Sequence, residues 1–342
     1  MNPAPHQTRL IALDWGTSSL RAYRLGAGGE RLELRALPWG VMQLPEAGTE
    51  ANAGFEAAFE QACGDWLRAA PETPVIAAGM VGSRQGWNEA PYLEVPIAVD
   101  QIGGNLTCLR NRHGQLIHIV PGLIQHSQLP NVMRGEETQV VGMLALHRRH
   151  GYPRSNDAAQ DILIGLPGTH SKWVQIHDAK AGSEVTRFDT FMTGEVYAAL
   201  CGHTILGRSM MAADDGNSET ARRGFERGLQ VAQTPAGQTG VLSTIFSTRT
   251  LGLTGVLDGA GQREYLSGLL IGHEIAALQH MLQAQERLPG KVMLVGETGL
   301  CERYAQVLRA YGFDNIEVVQ QATERGLWQL ALSAGLLNDA SI

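Results

Sequence analysis

Cysteine is scarce in this chain of 342 residues: there are four, Cys63, Cys108, Cys201 and Cys301, far apart and without paired spacing. That argues against a zinc site or a disulfide framework and makes a reducing, cytoplasmic compartment the expected one. An excess of basic residues is also missing. A net charge of −7 counts against nucleic acid or an anionic membrane as a partner, while leaving room for a local basic pocket for phosphates. No apolar run approaches a membrane span, and the opening MNPAPHQTRL lacks a signal-peptide core. Charged residues are only 18% and apolar residues 44%, the balance of a globular chain, and the length suffices for two domains with a core each. What is abundant is glycine, with 41 residues, many at the ends of strand-like runs, where tight turns and ligand-facing loops use them.

The most informative stretch is Leu10–Leu25, LIALDWGTSSLRAYRL. Leu10–Leu13 is wholly apolar and suits a strand buried on both faces. It stops at Asp14, a carboxylate that must be solvated, paired or bound to a metal. Gly16, Thr17, Ser18 and Ser19 offer a close backbone approach, hydroxyls and successive N–H groups, and Arg21 follows as a fixed cation. A carboxylate for a metal ion, a nest for phosphate oxygens and an arginine for developing charge are the parts that phosphoryl transfer needs. The alternative is an ordinary hairpin with a capped turn.

Further along, Glu50–Ala69 carries one apolar stripe and reads as a helix. Pro74–Ala78 reads as a buried strand opening into Gly79-Met80-Val81-Gly82-Ser83-Arg84-Gln85-Gly86-Trp87, the kind of loop in which open α/β sheets place ligands. Trp87 is read equally as packing or as substrate contact, and Tyr92 with its two flanking prolines as an irregular stretch. Ile117–Gly122 reads as a strand. Gly135-Glu136-Glu137 before a helical run is either an N-terminal arrangement complementing the helix dipole or a catalytic base with its neighbour. Residues 149–159 read as a surface loop. Asp161–Leu166 then runs through Pro167-Gly168-Thr169-His170-Ser171-Lys172 into a second strand, repeating the hairpin of Asp14–Arg21 with Gly and Thr in the same place. Two such hairpins, each opening its own half, are a stronger signal than one. His170 is read as solvated, without a metal. Glu219–Val231 reads as an exposed helix with charges on most faces. In the long helix Glu264–Leu282, Gly268 and Gly272 would admit another element or a ligand. Lys291–Val295 leads through Gly296-Glu297-Thr298-Gly299 into a helix, a turn suited to backbone contact with a nucleoside.

The stretches DWGTSSLRA, AGMVGSRQGW with APYLEVP, VMRGEETQ, PGTHSKWVQ, MTGE and YLSGLLIG resemble the sugar kinases of the actin/hexokinase/glycerol-kinase superfamily, and within them the 2-dehydro-3-deoxygalactonokinase family. The resemblance implies an α/β, two-domain actin-like ATPase (ribonuclease H-like) fold. Each domain would be a mixed sheet flanked by helices, with residues 1–133 forming one, 134–342 the other and the active site in the cleft. It implies a sugar acid and ATP as partners, Mg²⁺ on Asp14, and phosphate contacts from Gly16, Thr17, Ser18 and Arg21. Gly168, Thr169 and Ser171 would form a second phosphate turn, and Gly296 and Thr298 would lie against adenosine. An acidic residue after a glycine is the base in related kinases, which selects Glu136, with Glu137 as the alternative; aspartate followed by glutamine stands there in glycerol kinase-like enzymes. The substrate implied is a six-carbon 2-keto acid phosphorylated at its C6 hydroxyl, with Ser83, Arg84, Trp87 and Arg134 as candidate contacts. Neither nucleic acid nor membrane is expected as a partner, and a homodimer is left open.

Overall fold

The expected buried strand is present. In the computed structural model, which describes residues 7–149, 160–210 and 219–337, Leu10–Trp15 forms β1, buried everywhere but at Asp14. β2 (Leu20–Leu25) and β3 (Arg31–Leu37) follow as an antiparallel meander, and β4 (Val75–Gly79) returns parallel to β1. Next come β5 (Tyr92–Glu94), β6 (Ile97–Ala98), β7 (Thr107–Arg110), β8 (Leu116–Ile119), β9 (Gly122–Gln125) and β10 (Asn131–Met133). β8 and β7 complete a mixed sheet ordered β3-β2-β1-β4-β8-β7, β5, β9 and β10 form a small one ordered β10-β9-β5, and β6 is the edge strand of a third sheet. The stretch read as irregular around Tyr92 therefore holds short strands. Pro96 lies between two of them, behind a cis Val95–Pro96 bond, where no ladder N–H is needed. The run Ile117–Gly122 likewise divides at Pro121 into β8 and β9.

Two compact units emerge, the first within Met1–Gln160, Val174–Phe188 and Val319–Ile342, the second within Asp161–Trp173 and Asp189–Val318. This differs from the expected division after residue 133. The helix Glu136–Arg149 stays in the first unit because it crosses the helix Ala322–Ser333 at backbone contact. A Cβ on Gly142 would lie 1.8 Å from the Ala322 carbonyl oxygen, and one on Gly326 would lie 1.9 Å from that of Thr138. The first unit's core gathers β1, β4 and the helical segment Ala53–Ala69 around Trp15, Phe55, Phe59, Trp66 and Trp87.

The chain enters the second unit along β11 (Gln160–Leu166), leaves it along β12 (Ser171–Ala179) and returns along β13 (Gly182–Phe191). Within that unit β14 (Lys291–Leu294) lies parallel between β11 and β15 (Ile316–Val318). Helices Gly259–Ala284 and Thr298–Ala310 cover a core containing Trp173, Leu278, Val292 and Tyr304. The reading of Glu219–Val231 as charged on most faces is corrected here. Ala221, Gly224, Phe225, Gly228 and Leu229 are buried, and a Cβ on Gly268 would lie 2.1 Å from the Phe225 carbonyl oxygen. Small residues thus let two helices meet, while Arg222 and Arg223 pair with Glu219 on the outer face. From residue 150 onward, the loop expected at 149–159 lies outside the described residues. Among the described residues, no helix is long and apolar enough to cross a membrane.

Candidate active site

The antiparallel register of the first hairpin sets Asp14 directly across from Arg21. The Arg21 guanidinium donates to the Asp14 carboxylate at 3.3 Å. Burial at the strand end pushes the Asp14 carboxyl up from its ordinary value, against the pull of Arg21. In the turn, Gly16 N–H donates to the Ser19 carbonyl at 2.9 Å, leaving Thr17 and Ser18 exposed at the tip. A segment not singled out from the sequence holds this turn in place. Val41 and Met42 N–H donate to the Gly16 and Thr17 carbonyls, and a Cβ on Gly40 would lie 2.1 Å from the Thr17 carbonyl oxygen. The available signal was a glycine at position 40 with no strand end to account for it.

β4 ends beside β1, with Ala78 opposite Asp14 and Gly79 opposite Trp15. Gly79 and Gly135 both adopt positive φ, +92° and +109°, and they touch. That contact brings the start of the helix Glu136–Arg149 to the ends of the two parallel strands. The adjacent glutamates then diverge. Glu136 stays partly exposed, its carboxylate accepting from Arg134 N–H at 3.0 Å. Glu137 is fully buried, its oxygens accepting from Gly135 N–H at 2.9 and 2.7 Å. Burial, and secondarily the charge of Glu136, push the Glu137 carboxyl up to about 8, so it holds its proton at neutral pH.

In the loop after β4, Arg84 is exposed. Ser83 Oγ and the Nε and Nη1 of Arg134 are buried with no hydrogen-bond partner among the described residues. Arg134 is held by Nη2 donating to the Ala90 carbonyl at 2.8 Å and by stacking 4.3 Å over the Tyr92 ring. A Cβ on Gly82 would lie 3.0 Å from Nη1, so the guanidinium packs against Gly82. Trp87 packs into the core of the first unit. Its ring is 6% exposed, stacks on Phe55 at 5.9 Å and meets Trp15 and Phe59 edge-on, which is the packing reading of that residue.

In the second unit, Gly168, Thr169 and His170 link β11 to β12, with Thr169 and His170 exposed. The helix Thr193–His203 begins against this turn: Glu195 N–H donates to the Thr169 carbonyl at 2.9 Å, and a Cβ on Gly194 would lie 2.3 Å from the Gly168 carbonyl oxygen. His170 pairs with the Glu195 carboxylate rather than being merely solvated. Gly296 lies against Pro167, and Thr298 opens the helix Thr298–Ala310. Glu297 caps that helix by accepting from Gly299 and Leu300 N–H, which holds its carboxyl below the ordinary range. A cavity of about 200 Å³ is lined by Gly168, Thr193, Tyr197, Ser267, Leu300 and Arg303 among others. Arg303 enters it paired with Glu264. Ser171, expected in the second phosphate turn, is fully buried, and its hydroxyl bonds the Tyr304 hydroxyl at 2.9 Å. Tyr197, Arg303 and Glu264 were not identified from the sequence, because nothing local marks residues that converge only in space; Thr193 lies in the MTGE stretch but was given no role there.

A family model described as 2-keto-3-deoxy-galactonokinase matches residues 14–330. The 2-dehydro-3-deoxygalactonokinase of Escherichia coli (strain K12) is 37% identical over 308 residues, 90% of this chain and 91% of that protein. A crystal structure of a Sinorhizobium meliloti protein to which the same name is provisionally attached is 35% identical, covers 94% of this chain and 98% of its own, and superposes with a TM-score of 0.75.

Proposed function

Because the chain belongs to the 2-keto-3-deoxy-galactonokinase family, we propose that it transfers the γ-phosphoryl group of ATP to the C6 hydroxyl of 2-dehydro-3-deoxy-D-galactonate, giving the 6-phosphate and ADP. The observation that carries the reading is the Gly79–Gly135 contact, which presents a partly exposed Glu136 at the end of β4, the strand paired with the one that carries Asp14. Glu136 takes the proton of the C6 hydroxyl as its oxygen bonds to the γ-phosphorus and the bond to the β-bridging oxygen breaks. The deeply buried Glu137, which keeps its proton and has its oxygens on Gly135 N–H, is left to position the turn. The N–H groups and hydroxyls of Thr17 and Ser18, at the tip of a turn that Gly16 closes, and the Arg21 cation meet the charge that develops on the transferring group, the kind of term expected to dominate a loose transition state.

In the second unit, Gly168 and Thr169 hold nucleotide phosphates, and the neighbouring cavity with Gly296 and Thr298 takes the nucleoside. For the substrate carboxylate, the buried unpaired donors of Arg134 and the Ser83 hydroxyl are the matching groups, and Arg84 is a peripheral cation. Mg²⁺ is tested by the donor set at Asp14. One carboxylate at a strand end suits a hard cation that takes its other ligands from water and phosphate, and among the described residues no three His, Cys, Asp or Glu side chains form a cage. Bound there, Mg²⁺ would supply charge neutralisation of the phosphates.

The deciding experiment is ADP release with ATP and a panel of sugar acids, with the phosphorylated position read by phosphorus NMR. Turnover dependent on 2-dehydro-3-deoxy-D-galactonate, with the product ester at C6, is expected. ATP hydrolysis indifferent to any acceptor, or turnover confined to another sugar acid, overturns the assignment.

A further inference from the structure

Glu274, on the helix Gly259–Ala284, is 2% exposed in the interior of the second unit. Its carboxylate accepts from Trp173 Nε1–H at 2.7 Å and from the Tyr304 hydroxyl at 2.7 Å, and the Ser171 hydroxyl bonds that of Tyr304 at 2.9 Å; the neighbouring Thr193 and Ser171 hydroxyls pull its carboxyl down against burial. A buried carboxylate with this many donors is satisfied as an acceptor, although burial still pushes its carboxyl up. The donors are not scattered through the core. Ser171 and Trp173 follow the Gly168–His170 turn directly on β12. Thr193 precedes Gly194, the seat of the Gly168 carbonyl. Tyr304 and Thr193 both line the cavity that reaches Gly168.

We propose that Glu274 is a positioning residue for the nucleotide: it ties together both flanks of the Gly168–Thr169 turn and the Tyr304 wall of the cavity, without touching the nucleotide itself. The inference rests on the reading of that turn as phosphate-binding. Its physical content is the acceptor capacity of the carboxylate. In Glu274→Gln the volume is kept but one acceptor becomes a donor. The Trp173 indole can only donate, so the amide oxygen must face it and the NH₂ must face hydroxyls that now have to turn round. The tie between the two flanks is then weakened while the core stays filled.

The test is calorimetry of Mg²⁺–ATP binding and two-substrate kinetics on the full chain. Glu274→Gln is expected to raise both Kd and KM for ATP about 5- to 30-fold, the range of a lost buried hydrogen bond, with KM for the sugar acid unchanged within about twofold. Tyr304→Phe removes one donor from the same acceptor and carries the same expectation if Glu274→Gln does not fold. The double variant should fall short of the product of the two single effects, since the residues act as one unit. ATP affinity equal to wild type, or both KM values rising together with a lowered Tm, means that the network only packs the core and overturns the inference. A wild-type chain that binds no ATP overturns the reading of the turn and this inference with it; wild-type binding matched by Glu274→Gln overturns this inference alone.

Discussion

A Cβ placed on Gly135 would lie 3.3 Å from the Cα of Gly79, so the helix that carries Glu136 reaches the end of β4 through two glycines, both at positive φ. Gly135→Ala therefore meets backbone strain and a crowded contact together. It is expected to cost roughly 1–3 kcal/mol of stability and to lower kcat more than a folding defect alone would, because relief of the crowding moves Glu136. Urea unfolding and kcat measured on the same preparation check this. A destabilised variant with wild-type kcat would show that the contact does not place the base.

The two glutamates are expected to separate cleanly in kinetics. Glu136→Gln should lower kcat about 10²–10⁴-fold with KM for ATP near wild type, the range for losing a positioned base. Glu137→Gln should keep most of the turnover, since Glu137 is buried and holds its proton at neutral pH. Steady-state rates of the two variants decide, and the reverse order assigns the role to Glu137.

Glu137 also predicts how stability depends on pH. Its carboxyl titrates at about 8 in the folded chain against an ordinary 4.5. Between those values the folded state keeps a proton that the unfolded state has lost, so this group's contribution falls as pH rises from about 4.5 to about 8 and then levels off. Glu137→Gln cannot ionise. Its stability should therefore overtake that of wild type on moving from pH 5 to pH 8.5, by on the order of a few kcal/mol. Thermal unfolding across that range reads the difference, and parallel curves for the two proteins would contradict it.

Much of the hairpin geometry was legible locally. An apolar run ending in Asp14, with Gly16 and hydroxyls behind it, specifies a buried strand and a polar turn whatever the rest of the chain does. The same holds for Gly168 and Thr169. What local pattern could not show was tertiary. Trp87 sits in a Gly-rich loop that looks ligand-facing, yet its large apolar ring is drawn into the cluster with Trp15 and Phe55. Ser171 follows a phosphate-type turn, but β12 is buried along its first six residues and the Ser171 hydroxyl bonds Tyr304. The helix Glu136–Arg149 could not be assigned to its unit without Gly142 and Gly326, which are 184 positions apart and meaningful only as a crossing. The two prolines around Tyr92 suggest an irregular stretch, but each stands just before a short strand, Pro91 before Tyr92–Glu94 and Pro96 before Ile97–Ala98.

Arg134 offers the sharpest test of substrate recognition. Its Nε and Nη1 are buried without a partner among the described residues, while Nη2 and the ring of Tyr92 hold the group in place. Leaving such donors unmet is costly, so a ligand that pairs with them gains more than a solvent-exposed ion pair would. Arg134→Met keeps the stem and removes the charge. It is expected to raise KM for the sugar acid about 10- to 100-fold while KM for ATP stays put, and Arg84→Ala, at an exposed position, is expected to do far less. The discriminating measurement is kcat/KM for the acid relative to its neutral analogue reduced at C1. If Arg134 meets the carboxylate, the preference for the acid collapses in Arg134→Met. If the arginine merely clamps the loop to Tyr92 and Ala90, the variant loses stability and activity on both substrates alike, and the preference survives.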